Sequence, residues 1–250
     1  MWIKEFKGEK SFVILIHGLG EHSKRYSWLL ELLQKEGYGL VLFDLPGHGE
    51  SPGKRGHTSF KEIFEVLDKI VESHPNSFLM GHSLGGLIAI RYAETRDRIR
   101  SLIVTSPALK VAKDNLLLRS AATIFSLIMP KLSFDNGINP KDLSPNEKAV
   151  EKYVQDPLVH RKISAKLAYD MLHNSAMALK DAKKINVPCF LAVGEMDKIT
   201  LPTGTEEFFN SLASSDKIMK VYKGGYHELF EDQQNSNAFM SDLINWLNSH

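Results

Sequence analysis

A serine flanked by glycines, Gly81-His82-Ser83-Leu84-Gly85, carries the clearest chemistry in this 250-residue sequence. Four residues suited to a buried strand, Ser77 to Met80, lead into it, and a helical pattern from Leu84 to Thr95 follows. On such a strand-to-helix turn a serine is held in a strained backbone conformation, its hydroxyl projecting above the sheet over the positive end of the helix. Side chains at Gly81 or Gly85 would collide with neighbouring backbone. The chemistry this suits is attack by the Ser83 hydroxyl on an acyl carbonyl.

A hydroxyl attacks well only when a base removes its proton and a third group holds that base. Downstream of Ser83 the histidines are His160, His173, His227 and His250. His250 is terminal in the sequence, and His160 and His173 fall in a helical stretch. His227 sits in Lys223-Gly224-Gly225-Tyr226-His227-Glu228, a glycine-rich loop after the last strand pattern, and is the expected general base. For the acid, Glu195 and Asp197 both follow the strand Val187 to Val193. Asp197 lies deeper in the loop, thirty residues before His227, and is preferred over Glu195. Its role would be to fix the tautomer of His227 and stabilise the imidazolium. The developing oxyanion needs two donors. The Leu84 N–H supplies one, and the turn His17-Gly18-Leu19-Gly20 supplies the other from Leu19. His17 and His82 read as buried histidines that shape the loop and the elbow.

Positioning these groups requires a sheet. Phe12 to Ile16 is a short apolar run that fits a buried strand. A helical pattern from Tyr26 to Lys35 stops at Gly37, and a strand (Gly39 to Phe43), a Gly/Pro-rich loop (Asp44 to Gly56) and a helix (Ser59 to Ser73) follow. After the elbow comes a strand at Ser101 to Thr105. The alternation predicts βαβ crossovers and a largely parallel sheet. It stops near Pro107: from Asn115 to about Leu172 the chain reads as helices and loops without a strand. It resumes at Val187, with a helix (Thr203 to Ala213), a strand (Lys217 to Tyr222) and a helix (Ser236 to Asn248). The middle block therefore reads as a lid inserted over the carboxyl ends of the strands, where ligands bind in open α/β sheets.

Composition narrows the partners. With 43% hydrophobic and 24% charged residues and a net charge of +1, nothing points to nucleic acid. The single cysteine, Cys189, excludes an internal disulfide framework and fits a reducing compartment, so a cytoplasmic location is expected. The N-terminal residues lack the apolar core of a signal peptide, and no run approaches the roughly 18 apolar residues of a membrane span. No His/Cys cluster has zinc spacing and no phosphate-binding glycine loop occurs, so no cofactor is implied.

Several motifs carry a family resemblance. His17-Gly18-Leu19-Gly20-Glu21-His22-Ser23-x-Arg25-Tyr26 resembles the oxyanion-loop signature of monoacylglycerol lipases and their lysophospholipase-like relatives. Asp44-x-Pro46-Gly47-His48-Gly49-x-Ser51-x-Gly53-x-Arg55-Gly56-His57 resembles that family's second block, Gly81 to Gly86 its elbow, and Asp197 and Gly225-Tyr226-His227 its remaining triad positions. Asp156-Pro157-Leu158 resembles a segment of its cap. The similarity spans about residues 10 to 248. It implies one α/β-hydrolase domain over residues 1–250, a mostly parallel central sheet flanked by helices. A helical cap of about residues 108–175 is inserted before the strand leading to the catalytic acid. The family's N-terminal hairpin is expected to be abbreviated, because only Trp2 to Phe6 precedes the first strong strand.

The resemblance implies a serine hydrolase that cleaves monoacylglycerols, with lysophospholipids or simple carboxylic esters as the alternative substrates. A hydrolase-fold binding protein is the rival of another class, and it would usually lack a triad member. Glu21 and Arg25 are placed by resemblance at the polar end of the substrate site, and otherwise read as a helix-start ion pair. The apolar stretch Leu116 to Pro130 either lines an acyl tunnel and leans transiently on a lipid surface, or packs on the sheet domain. Lys113, Arg119 and Lys131 are too few for stable electrostatic anchoring.

Overall fold

The computed structural model describes residues 1–96, 98–112 and 114–250; Lys113, one of the three bases flanking the apolar stretch, lies outside them. Seven strands form one sheet: β1 (Ile3–Phe6), β2 (Phe12–Ile16), β3 (Gly39–Phe43), β4 (Phe78–His82), β5 (Ser101–Thr105), β8 (Cys189–Gly194) and β9 (Lys217–Tyr222). Their order is β1-β3-β2-β4-β5-β8-β9. All pairings are parallel except that of β1 with β3, which is antiparallel and forms one edge.

Parallel strands are buried on both faces, which is why β3, β4 and β5 are continuous apolar runs and not alternating ones. On one face Ile14, Ile16, Val41, Leu79, Leu102 and Leu191 meet α2 (Phe60–Ser73), α3 (Leu84–Ala93) and α7 (Pro202–Ser211). On the other, Val13, Leu15, Leu40, Phe78, Met80 and Phe190 meet α1 (Ser27–Lys35) and α8 (Ser236–Ser249). The ends of these helices follow local rules. Ser59 Oγ accepts the Glu62 N–H at the start of α2. After α1, Gly37 adopts φ 78°, so its N–H reaches the Gln34 carbonyl and the Tyr38 N–H that of Leu33.

Between β5 and β8 run α4 (Leu116–Ile128), β6 (Ser133–Asp135), α5 (Glu147–Gln155), β7 (Lys162–Ser164) and α6 (Ala165–Asp181). The expectation of no strand here is corrected. β6 and β7 pair antiparallel, Ser133 opposite Ser164 and Asp135 opposite Lys162. Three-residue strands are too short to show a period of two. The helix α6 runs through position 175 and packs on both α4 and α3. Among the described residues no helix is long and apolar enough to cross a membrane.

Candidate active site

Ser83 directly follows β4 with φ 55° and ψ −118°, a region that costs a non-glycine residue about 1–3 kcal/mol. The surroundings over-determine it. Its N–H donates to the Thr105 carbonyl at 3.0 Å, and its carbonyl accepts from Leu87 and Ala108 at 3.1 and 3.0 Å. A β-carbon on Gly81 would run into the Gly85 carbonyl, and one on Gly85 into that of Ile16, so both glycines are steric requirements. The turn lies at the carboxyl end of the sheet, and Ser83 lines a cavity of about 270 Å³.

His227 lies in the loop after β9 and is buried. Its Nδ1 donates to Asp197 Oδ2 at 2.8 Å, which leaves Nε2 as the basic nitrogen. The Ser106 hydroxyl donates to the His227 carbonyl at 2.8 Å, tying this loop to the β5 end that also holds Ser83. Burial disfavours the imidazolium, but the facing Asp197 carboxylate, with Glu228 and Glu21 behind it, outweighs burial and raises the pKa of His227 above 6.5. Asp197 follows β8. Burial raises its pKa, but His227 and the N–H groups of Thr200 and Ile199 overcome this and hold its carboxyl below the usual range. The Thr200 hydroxyl donates to Asp197 Oδ2 at 2.8 Å. Glu195 instead accepts the Gly224 N–H at 2.9 Å on the exposed side of the loop. Of the two carboxylates, only that of Asp197 reaches His227.

Leu19 and Leu84 line the same cavity as Ser83. Leu84 is the first residue of α3, where backbone N–H groups have no intrahelical acceptor. The Gly18–Leu19 peptide is oriented by His17, whose Nδ1 donates to the Gly18 carbonyl at 2.8 Å while its Nε2 accepts the Leu45 N–H at 3.0 Å. Burial keeps His17 neutral, as that pattern requires. His82 bonds Thr105 Oγ1 at 2.9 Å and lies 4.8 Å from the His227 ring. Burial and its neighbour His227 push its pKa down to about 3.

Glu21 and the side chain of Arg25 are buried and bonded to each other, Arg25 also to Glu228 and Glu21 to the Gly18 N–H, and neither is among the residues lining the cavity. The cavity walls come largely from the inserted block: Leu118, Phe125, Phe134, Ile138, Met171 and Leu172. The outer side of α4 is bare, with Leu116 and Leu117 each 81% and Leu127 79% exposed. Arg119 pairs with Asp114. Cys189 is buried, its thiol pushed up to about 12 by desolvation. No three His, Cys, Asp or Glu side chains among the described residues converge as metal ligands.

Thr200, Ser106 and Glu228 were not singled out by sequence reasoning. Thr200 has a local signal, a hydroxyl three residues after the acid. Ser106 has none beyond the strand end, since its bond to His227 spans 121 positions.

The family described as serine aminopeptidase, S33, matches residues 7–234. The chain is 32% identical to the phospholipase YtpA of Bacillus subtilis, over 96% of each chain. It is 34% identical to an uncharacterized abhydrolase domain-containing protein of Dictyostelium discoideum, covering 94% of this chain and 26% of that one. A solved monoacylglycerol lipase of Paleococcus ferrophilus superposes with a TM-score of 0.97 at 46% identity, covering 100% of this chain and 98% of that one.

Proposed function

The chain belongs to the hydrolase family described as serine aminopeptidase, S33, and from that premise we propose that it hydrolyses the ester bond of monoacylglycerols. The observation that carries this reading is the apolar cavity of about 270 Å³ that opens on Ser83. A single acyl chain fits such a space, and each methylene buried there contributes about 0.8 kcal/mol. The likeness to the P. ferrophilus lipase supports it.

In this reading the Ser83 Oγ attacks the acyl carbonyl while His227 Nε2 takes its proton. The oxyanion that forms accepts from the N–H groups of Leu19 and Leu84. As it collapses, the ester C–O bond breaks and His227 returns the proton to the departing glycerol oxygen. Water then adds to the acyl-enzyme, again with His227 as base, and releases the fatty acid. Asp197 holds the Nδ1–H tautomer throughout. The block of about residues 108–175 serves as the cap, and the bare outer side of α4 meets the lipid surface transiently. The enzyme then works at membranes as a peripheral, cytoplasmic protein.

The likeness to YtpA supports a second reading, a phospholipid substrate on the same machinery. Labelling with a fluorophosphonate tests the shared chemistry. Ser83 should be modified in the wild type and not in His227→Ala. Equal labelling of both would leave His227 without its role, and no labelling of the wild type would favour a ligand-binding protein.

A further inference from the structure

A buried ion cluster joins the oxyanion loop to the loop of His227. Arg25 reaches both oxygens of Glu228, Nη1 to Oε1 at 2.7 Å and Nη2 to Oε2 at 2.8 Å, and Nη1 also donates to Glu21. Glu21 Oε1 in turn accepts the Gly18 N–H at 2.6 Å and the Tyr26 hydroxyl at 2.8 Å. The side chains of Arg25, Glu21 and Glu228 are 7%, 4% and 3% exposed. Two carboxylates on one guanidinium make an expensive group to bury, and breaking one member away leaves a charge uncompensated. Apolar residues would fill the same space at less cost. The cluster therefore calls for a role other than stability.

Each end of the cluster stops one residue from a proposed catalytic group. Glu228 directly follows His227, and its N–H is anchored on the Leu143 carbonyl at 2.8 Å. At the other end Glu21 grips Gly18, the residue before Leu19. The Gly18 carbonyl is held by His17, and with no cis peptide bond among the described residues the Leu19 N–H must point the opposite way. Gly18 also has little slack towards the nucleophile, since a β-carbon on it would lie 3.2 Å from that of Ser83. A planar, bidentate guanidinium is the one side chain that can hold such a span rigidly.

We propose that Glu228, Arg25 and Glu21 form a strut that fixes the Leu19 oxyanion donor relative to the base His227. They are positioning residues for acyl transfer, and not contacts to the glycerol. The strut rests on the assignment of Ser83, His227 and Leu19 above. A misaligned donor weakens binding of the transition state while leaving the ground state almost untouched, so the loss falls on kcat.

The test uses Glu228→Gln, Arg25→Lys and Tyr26→Phe with a water-soluble p-nitrophenyl ester and a short-chain monoacylglycerol, and Ser83→Ala in parallel. For Glu228→Gln and Arg25→Lys, kcat should fall about tenfold or more with KM changed less than about twofold, short of the 10²–10³ lost with a whole oxyanion donor. Affinity for a boronic acid transition-state analogue should fall in the same ratio as kcat/KM. Tyr26→Phe removes one bond to Glu21 and no charge, and should lower kcat about two- to fivefold by the same argument. It carries the test alone if the charge variants do not fold. An unchanged kcat would overturn the strut. So would a rise in KM confined to glycerol esters, which would make these residues substrate contacts, or a kcat loss with analogue affinity intact. Turnover surviving in Ser83→Ala would instead overturn the nucleophile assignment, a result separable from all of these.

Discussion

Replacing Asp197 with asparagine alters one terminal group, and the hydrogen bonds around it dictate how the new amide must sit. Oδ1 accepts two backbone N–H groups, from Ile199 at 2.8 Å and Thr200 at 3.0 Å, so an NH₂ there would face two donors. The amide oxygen takes that place and the NH₂ falls at Oδ2, facing His227 Nδ1. The Thr200 hydroxyl tolerates this, because it can donate to the Ser106 carbonyl at 3.0 Å and accept from the amide. His227 does not: with Nδ1 accepting, its proton moves to Nε2, the atom that must receive the Ser83 proton. The wrong tautomer in an otherwise intact serine hydrolase costs about 10⁴ in kcat, or about 5.5 kcal/mol. Steady-state turnover of a soluble p-nitrophenyl ester at neutral pH measures it, with Glu195→Gln as the control that keeps near wild-type kcat. A kcat for Asp197→Asn within tenfold of wild type would refute the tautomer argument.

Further expectations follow from the same geometry. Gly85→Ala sets a β-carbon against the Ile16 carbonyl and should destabilise the fold by about 2 kcal/mol or more, read as a lowered urea midpoint. Acid should destabilise the protein through His48, His82 and His160, whose pKa values burial depresses, to about 3 for His82 and about 4 for His160. The unfolded chain protonates these near pH 6.5 and the native state does not, so going from pH 6.5 to 5.5 should cost about 1 kcal/mol each for the buried His48 and His82, and less for the part-exposed His160. His227, raised when folded, offsets a few tenths of a kcal/mol, and Glu94, whose pKa burial lifts to about 8, offsets about 1 kcal/mol, so the net effect of acid stays destabilising; a stability that does not fall over that window would contradict the assignment. Since a protonated His227 cannot act as base, the acid limb of kcat/KM should have its midpoint above 6.5. Serine at Leu116, Leu117 and Leu127 should lower hydrolysis of micellar ester more than of monomeric ester, and equal loss on both would remove the lipid-contact role.

Much of the frame was legible because it is local. The strands β3, β5 and β9 match the expected bounds, and α2 starts at the Ser59 cap and shows the buried stripe Ile63, Leu67 and Ile70. The elbow was legible for a steric reason, since two glycines four apart around a serine mark places where backbone meets backbone. The inserted block was less so. There β6 and β7 are three residues each and pair across the whole of α5, a non-local contact that leaves no periodic trace. The ion cluster shows the same limit within the site. Glu21 and Arg25 could be paired by their spacing, but Glu228 lies 203 positions from Arg25. Without it the pair reads as a weak surface bridge and not as a buried fork.

The most direct test of the central claim is kcat/KM for a chain-length series of monoacylglycerols beside matched lysophosphatidylcholines and p-nitrophenyl esters, with Ser83→Ala in parallel. Monoacylglycerols should be preferred, with kcat/KM rising up to about fourfold per methylene until the cavity is full, and turnover should be lost in Ser83→Ala. A preference for lysophosphatidylcholines would keep the mechanism and overturn the substrate, and turnover that survives in Ser83→Ala would contradict the account at its root.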